Sequence, residues 1–560
     1  MNQQMTVATA PEGVNGHGCG DGNAKTNAGG ASGMNPLELV VLLMVIAAGL
    51  AVAAQRMRIP YPVLLVLGGL ALAFVPGLPR VEIDPQVVLV IFLPPLLFAS
   101  AWLTSWRDFA ANRRPIALLA VGLVIATMMA VAVVAHAIIA DLSWSVALLL
   151  GAIVSPPDAA ATTAVFQRLK VPRRIVTIVE GESLVNDATG LVAYKFALAA
   201  VTTGSFSLAS AGGHFLLVVA GGVALGLAVG WLVAQLHRHM EDFEVETIIT
   251  LLTPYAAYIA AEHIGVSGVL ATVTAGGYLG WRNPELLSAL TRFRGRGVWR
   301  VFLMLFEGLV FILIGLQLAA IRDIAVGMST AALVGRAAII SAVAIAARLI
   351  YVPIATYLPR LLNRRLRERD PNPPVRPVML IGWTGVRGIV SLALALALPE
   401  TLPDGRPFPD RATVIVLTFG VILATLLVQG LTLPALIRLF RLGEDDADRR
   451  EEREALIRGS RAALARLDEI DNTVVIHPQL LARVRAPYQE RLARLTTEER
   501  SDPECKLSEG ESAAFRRLRT DSLAAERKAA VELRNQGKIS EEVLHRVQEA
   551  LDLEALQPDR

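Results

Sequence analysis

Cysteine is nearly absent. Cys19 and Cys505 are the only two in 560 residues, one in each polar end, which leaves neither a disulfide framework nor a thiolate metal site. Histidine is scarce as well: eight residues at no ligand-like spacing encode no metal or redox centre. Charge is the third shortage. Only 18% of the residues are Asp, Glu, Lys or Arg, where soluble domains carry about a quarter, and the mean hydropathy is +0.50. The shortage is local, because residues 441–560 hold 48 of the 103 charged side chains and the preceding 440 residues hold 55. One uniform soluble protein is excluded. A formal net charge of +3 is too mild to argue for nucleic acid as a partner.

What the chain does have is long apolar runs. Residues 1–35, rich in Gly, Asn and Ala without periodicity, are expected to be disordered. Residues 36–438 form the membrane domain, and 439–560 a charged tail with helical patterning over 441–470 and 510–556. Spans are expected near 37–54, 61–78, 85–103, 115–139, 143–167, 175–201, 213–235, 246–263, 265–281, 301–320, 328–354, 374–399 and 412–437. Most lie close to the roughly 20 residues a helix needs to cross a bilayer. They are too long and unbroken for barrel strands. Thirteen spans with the first end outside place 21 basic residues in loops on the inner side and four, Arg80, Arg322, Arg406 and Arg411, on the other. That asymmetry favours an odd count and a cytoplasmic tail.

Charged side chains inside such spans are costly and mark cavities or ion pathways. The fifth span contains Ser155-Pro156-Pro157-Asp158 and, further on, Thr162. Two prolines in a row lack amide donors, so the helix should break beside Asp158 and leave backbone groups free. The sixth contains Glu182-Ser183-Leu184-Val185-Asn186-Asp187, with Glu182 and Asn186 on one face and Ser183 and Asp187 on the adjoining one. Asp187 lies near mid-span. Its carboxylate is the best candidate for a group that alternately takes a proton and a small cation, since it cannot comfortably hold both. Hard oxygen ligands from Asp158, Asp187, Ser155 and free carbonyls suit Na+ or Li+ better than a transition metal.

Three later spans carry further charge: Glu307 in the tenth, Arg336 and Arg348 in the eleventh, and Arg387 within Gly385-Val386-Arg387-Gly388 in the twelfth. A lone buried guanidinium is expensive, so Arg387 should meet a buried acid, with Glu182 the first choice. Glu307 is assigned to Arg348 or Arg336. Interruptions in the fifth and twelfth spans, seven apart, are what an inverted repeat of six around a linking seventh would produce.

Together with Phe92-Leu93-Pro94-Pro95-Leu96-Leu97-Phe98 and Phe306–Gly315, these motifs closely resemble the monovalent cation:proton antiporter 1 family, over about residues 37–438. The resemblance implies an all-α polytopic membrane protein of about thirteen helices in an inverted-repeat antiporter fold with broken helices, working as a homodimer in the cell (inner) membrane. It implies no cofactor and no enzyme activity, and exchange of Na+, with Li+ or K+ as alternatives, for H+. Asp187 is similar to the family's ion- and proton-binding aspartate, and Asn186 to the Asn of an Asn-Asp pair associated with electroneutral exchange. Asp158 matches the broken-helix aspartate, and Glu182 with Arg387 a buried ion pair. Two departures bear on cation preference. Pro156-Pro157 stands where many relatives have a hydroxyl, leaving Ser155 or Thr162 as substitutes, and Ala99 stands where some relatives have an acid. The runner-up is a K+/H+ antiporter or another cation-coupled secondary transporter.

Overall fold

Apolar runs in lipid have to satisfy every backbone group internally, which a helix does within one segment. In the computed structural model the chain is described at residues 36–57, 59–75, 87–203, 208–240, 242–286, 289–325, 329–442, 446–473 and 478–500, with scattered positions between 522 and 547. The segment 1–35 and most of the patterned stretch 510–556 lie outside the described residues. Within them the only departure toward sheet is an isolated bridge between Thr401 and Pro407.

Helices α1 (Pro36–Met57), α2 (Tyr61–Leu72), α3 (Val88–Leu103), α4 (Trp106–Ala111) and α5 (Arg113–Ile138) open the bundle. Two half-helices follow, α6 (Trp144–Val154) and α7 (Ala160–Leu169), separated by the two prolines. Next come α8 (Arg173–Thr203), α9 (Leu208–His237), α10 (Phe243–Ile264), α11 (Gly268–Leu286), α12 (Ala289–Ile324), α13 (Thr330–Leu362) and a short basic α14 (Arg364–Arg369). A second half-helix pair, α15 (Val375–Trp383) and α16 (Ile389–Leu396), precedes α17 (Arg411–Phe440). Among the described residues seven helices, α1, α5, α8, α9, α12, α13 and α17, are long and apolar enough by length and composition to cross a membrane. The chain is therefore that of an integral membrane protein.

The junction near residue 265 resolves into two helices because Gly265 ends α10 at φ 80°, a left-handed conformation that glycine adopts without strain. Elsewhere α3 and α5 each contain a π-helical turn with an identifiable partner. The turn Leu118–Leu123 in α5 leaves the Leu118 carbonyl to accept the Tyr351 hydroxyl at 3.2 Å. The turn Val88–Phe92 in α3 leaves Ile91 to accept the Tyr255 hydroxyl at 3.1 Å.

Small residues set how closely helices approach. A Cβ on Gly69 of α2 would lie 2.2 Å from the Ile312 carbonyl oxygen, and one on Gly315 of α12 would lie 2.3 Å from that of Val66, so these two helices touch backbone to backbone. The main apolar core joins α1, α2, α6, α12, α16 and α17 through residues such as Val66, Leu149, Ile312, Leu392 and Leu426. A second cluster stacks Phe98 of α3 on Trp299 of α12 at 5.6 Å between centroids, with Trp102 of α3 tilted against the same ring at 5.5 Å. Outward faces carry Val45, Leu216, Leu217, Trp231 and Ile350, large apolar side chains exposed as hydrocarbon solvent allows.

The described residues divide into this bundle and a second unit, made by the tail with the short segment Leu169–Val176. In the tail, α18 (Asp446–Thr473) and α19 (Pro478–Arg500) pair as a hairpin, with Arg453 donating to the Leu495 carbonyl and Arg485 paired with Asp468.

Candidate functional site

Pro156 and Pro157 cannot donate backbone hydrogen bonds, so the last carbonyls of α6 need other partners. Ser155 Oγ donates to the Ala152 oxygen at 3.2 Å, and Arg387 Nε donates to the Val154 oxygen at 2.9 Å. The chain then turns through Asp158, whose amide donates across to the Val386 carbonyl at 2.7 Å. The break in α6–α7 is thus bonded to the break in α15–α16.

Charges at the crossing match the ends of the half-helices. Asp158 Oδ1 accepts from the Ala160 amide at 2.8 Å at the start of α7, while its other oxygen lies against Gly388, the residue that opens α16. A carboxylate is favoured at such N-termini. Arg387, buried, sits at the C-terminal end of α6 and also donates to the Gly385 carbonyl. Its own amide donates to Thr425 Oγ1 of α17 at 3.2 Å.

Helix α8 braces the break from the side. Asn186 Nδ2 donates to the Pro157 carbonyl at 3.0 Å, and the Ala159 amide donates to Ser183 Oγ at 3.3 Å. One turn earlier Glu182 meets Arg348 of α13 in a fully buried two-point pair, its Oε2 accepting from Nη2 at 2.7 Å and its Oε1 from Nη1. Arg348 Nε donates onward to the Ile381 carbonyl at 3.1 Å, which ties α8 and α13 to the end of α15.

This corrects two expected pairings. Glu182 goes to Arg348 and not to Arg387, because Arg387 is taken by the Val154 and Gly385 carbonyls at the two breaks. Glu307 meets neither Arg348 nor Arg336 but accepts the hydroxyl of Tyr61 at the start of α2. Arg336 takes no part in either pair.

A cavity of about 480 Å³ beside the crossing is lined by Asp158, Ser183, Asp187, Glu307 and Tyr61. Asp187 carries no hydrogen bond or ion pair among the described residues, and Lys195, two turns along α8, is exposed. Of the expected ligands, Asp158 and Asp187 reach the cavity. Ser155, Thr162 and Asn186 do not line it: all three are buried, and Ser155 and Asn186 spend their donors on the break. The wall hydroxyls are instead Thr163 and Ser183, with Ser100 and Tyr61. A helical register of one residue separates Thr162 from Thr163, and sequence alone did not fix which of them faces inward. Glu180 and Tyr61 are also on the wall, and the sequence does not mark either as a ligand; Tyr61 gives no signal beyond a tyrosine behind Pro60 at a helix start. A wall with the carboxylates of Asp158, Glu180, Asp187 and Glu307 and the hydroxyls of Tyr61, Ser100, Thr163 and Ser183 among apolar side chains offers hard oxygen donors to a small cation and a base to a proton.

Comparison with known proteins gives the same class. The family described as the transmembrane sodium/hydrogen exchanger matches residues 40–439. An uncharacterized Na+/H+ exchanger of Mycobacterium tuberculosis is 36% identical over 527 residues, covering 93% of this chain and 96% of that protein. The sodium, potassium, lithium and rubidium/H+ antiporter of Bacillus subtilis is 32% identical over 526 residues, covering 92% and 76%. Among solved structures, the sodium proton antiporter MjNhaP1 of Methanocaldococcus jannaschii shares the fold at a TM-score of 0.54 and 18% identity, over 71% of this chain and 97% of that one. The chain belongs to the sodium/hydrogen exchanger family, whose members are transporters and not enzymes.

Proposed function

We propose that the protein exchanges a monovalent cation, Na+ first and Li+ or K+ as alternatives, for H+ across the cell membrane, with Asp187 as the shared binding group. The observation that carries this is an unpartnered carboxylate on a cavity wall beside two bonded helix breaks. Asp187 releases H+ and takes the cation with Asp158, Thr163 and Ser183 as further oxygen donors. The loaded site then opens to the other side and the exchange reverses. Glu182–Arg348 and Arg387 keep the crossing rigid while this happens.

The wider reading has thirteen spans in an inverted repeat, with α6–α7 and α15–α16 as the matching broken helices, and a cytoplasmic tail from residue 439. Charge asymmetry between loops supports that topology, and the family resemblance supports a homodimer and electroneutral exchange. Relatives named as antiporters of sodium, potassium, lithium and rubidium support a broad cation class.

The test is purified protein in sealed liposomes under a pH gradient, with the membrane potential clamped. Addition of Na+, Li+ or K+ should drive proton movement that Asp187→Asn abolishes. Proton movement unaffected by that substitution would remove Asp187 from the site.

A further inference from the structure

The cavity holding Asp158 and Asp187 has a second polar end. Its wall continues along α8 through Ser183 to Glu180 and along α7 through Thr163 to Gln167. Positions 180, 183 and 187 are spaced by three and four residues, as one helix face requires, and 163 and 167 by four. Two polar stripes on consecutive helices therefore border one cavity. Gln167 is exposed and Glu180 half-buried, so this end is the wetter one. Seven residues along α8 put Glu180 about 10 Å from the level of Asp187.

Glu180 has no structural duty to explain it. It carries no hydrogen bond or ion pair among the described residues, and the guanidinium of Arg348 is fully occupied by Glu182, Ile381 and Thr384. Nor does it serve the start of its own helix, since it lies seven residues beyond Arg173, past the first turn where acids favour the dipole. An ionisable side chain with neither partner nor capping role, on the wall that also holds the transport carboxylate, concentrates cations at that wall.

The geometry points to Glu180 as a capture station for the monovalent cation, which first meets Glu180 and Gln167 and then passes Thr163 and Ser183 to reach Asp187. This inference rests on Asp187 being the transport site. The hydroxyls of Thr163 and Ser183 replace hydration water stepwise along the stripe. Glu180 raises the occupancy of the entrance and leaves the exchange step at Asp187 unchanged, so its removal alters how much cation is needed and not how fast a loaded carrier turns over.

Initial rates of Na+-driven proton movement in liposomes, at fixed pH and ionic strength, test this through the separation of KM from Vmax. Glu180→Gln is expected to raise the KM for Na+ by about tenfold, the lower range for loss of electrostatic focusing, with Vmax unchanged, and Glu180→Asp should restore the KM. Gln167→Glu, a change at an exposed position, should lower the KM. An unchanged KM in both Glu180→Gln and Gln167→Glu overturns the inference, as does a loss of Vmax at unchanged KM, which would mark Glu180 as structural. Should Glu180→Gln not fold, the Gln167→Glu result decides alone. Asp187→Asn is measured beside them. If it transports like the unaltered protein, the assignment of Asp187 fails whatever Glu180 does, whereas an inactive Asp187→Asn with an unchanged KM in both Glu180→Gln and Gln167→Glu condemns only the capture station.

Discussion

The amide of Asp158 donates to the carbonyl of Val386 at 2.7 Å, so the residue that carries one helix break is held by the backbone of the other. Arg387, the next residue in that second break, returns the bond by donating to Val154 at 2.9 Å. The two interruptions thus supply each other's missing backbone partners, and neither half-helix pair can shift alone without exposing donors and acceptors in an apolar core. The movement needed for alternating access should therefore carry both breaks as one body.

The Glu182–Arg348 pair is expected to be a stability element. Removing one partner leaves a buried charge uncompensated, at a cost of about 3–5 kcal/mol. Arg348→Gln should lower the thermal midpoint in detergent sharply, and Glu182→Gln combined with it should recover part of the loss. Fluorescence-detected melting of the single and double variants checks this; an additive double variant would mean the two side chains are not coupled.

Gly388 should tolerate no side chain. A Cβ there would fall 1.8 Å from Asp158 Oδ2. Overpacking of about 1–3 kcal/mol at that carboxylate should cut transport by on the order of tenfold in Gly388→Ala. Gly335→Ala is the control, since a Cβ there meets nothing within 4 Å.

Much of the site was legible because lipid makes charge conspicuous. Asp158 and Asp187 stand out as acids in apolar runs, and Pro156-Pro157 announces a break through its two missing amides. The partners were not legible. Glu182 and Arg348 lie 166 positions apart, and their meeting depends on how α8 and α13 are rotated about their axes, which composition does not encode. Arg387 meets the Val154 carbonyl, which is open because its helical donor, the Asp158 amide, turns to Val386, and that turn depends on a segment more than two hundred residues away. The fold shows the same division. Gly265 marks the turn between α10 and α11 plainly, while the π-helical turns at Val88–Phe92 and Leu118–Leu123 depend on the distant hydroxyls of Tyr255 and Tyr351.

Asn186 is expected to matter as a donor. Its Nδ2 holds the Pro157 carbonyl at 3.0 Å. Asn186→Asp replaces the donor with an acceptor, leaves that buried oxygen unsatisfied at a cost of about 1–3 kcal/mol, and should lower both thermal stability and transport. Melting and liposome transport on the same preparation check it; full stability with full transport would contradict the bracing role.

The Tyr61–Glu307 contact separates charge from hydrogen bonding. Glu307→Gln keeps an acceptor for the Tyr61 hydroxyl and should preserve most transport, whereas Glu307→Ala leaves that hydroxyl without its partner and should lose most of it. Equal loss in both variants would show that the carboxylate charge itself is required.

The central claim is that one carboxylate, Asp187, holds either a proton or a cation. Proton release on cation binding measures this directly, by calorimetry of Na+ binding to the purified protein in buffers of different ionisation enthalpy. The account predicts that binding heat varies with the buffer, that apparent affinity falls as the pH is lowered, and that both effects vanish in Asp187→Asn. Cation binding with no proton released, equally tight across the pH range, would contradict it.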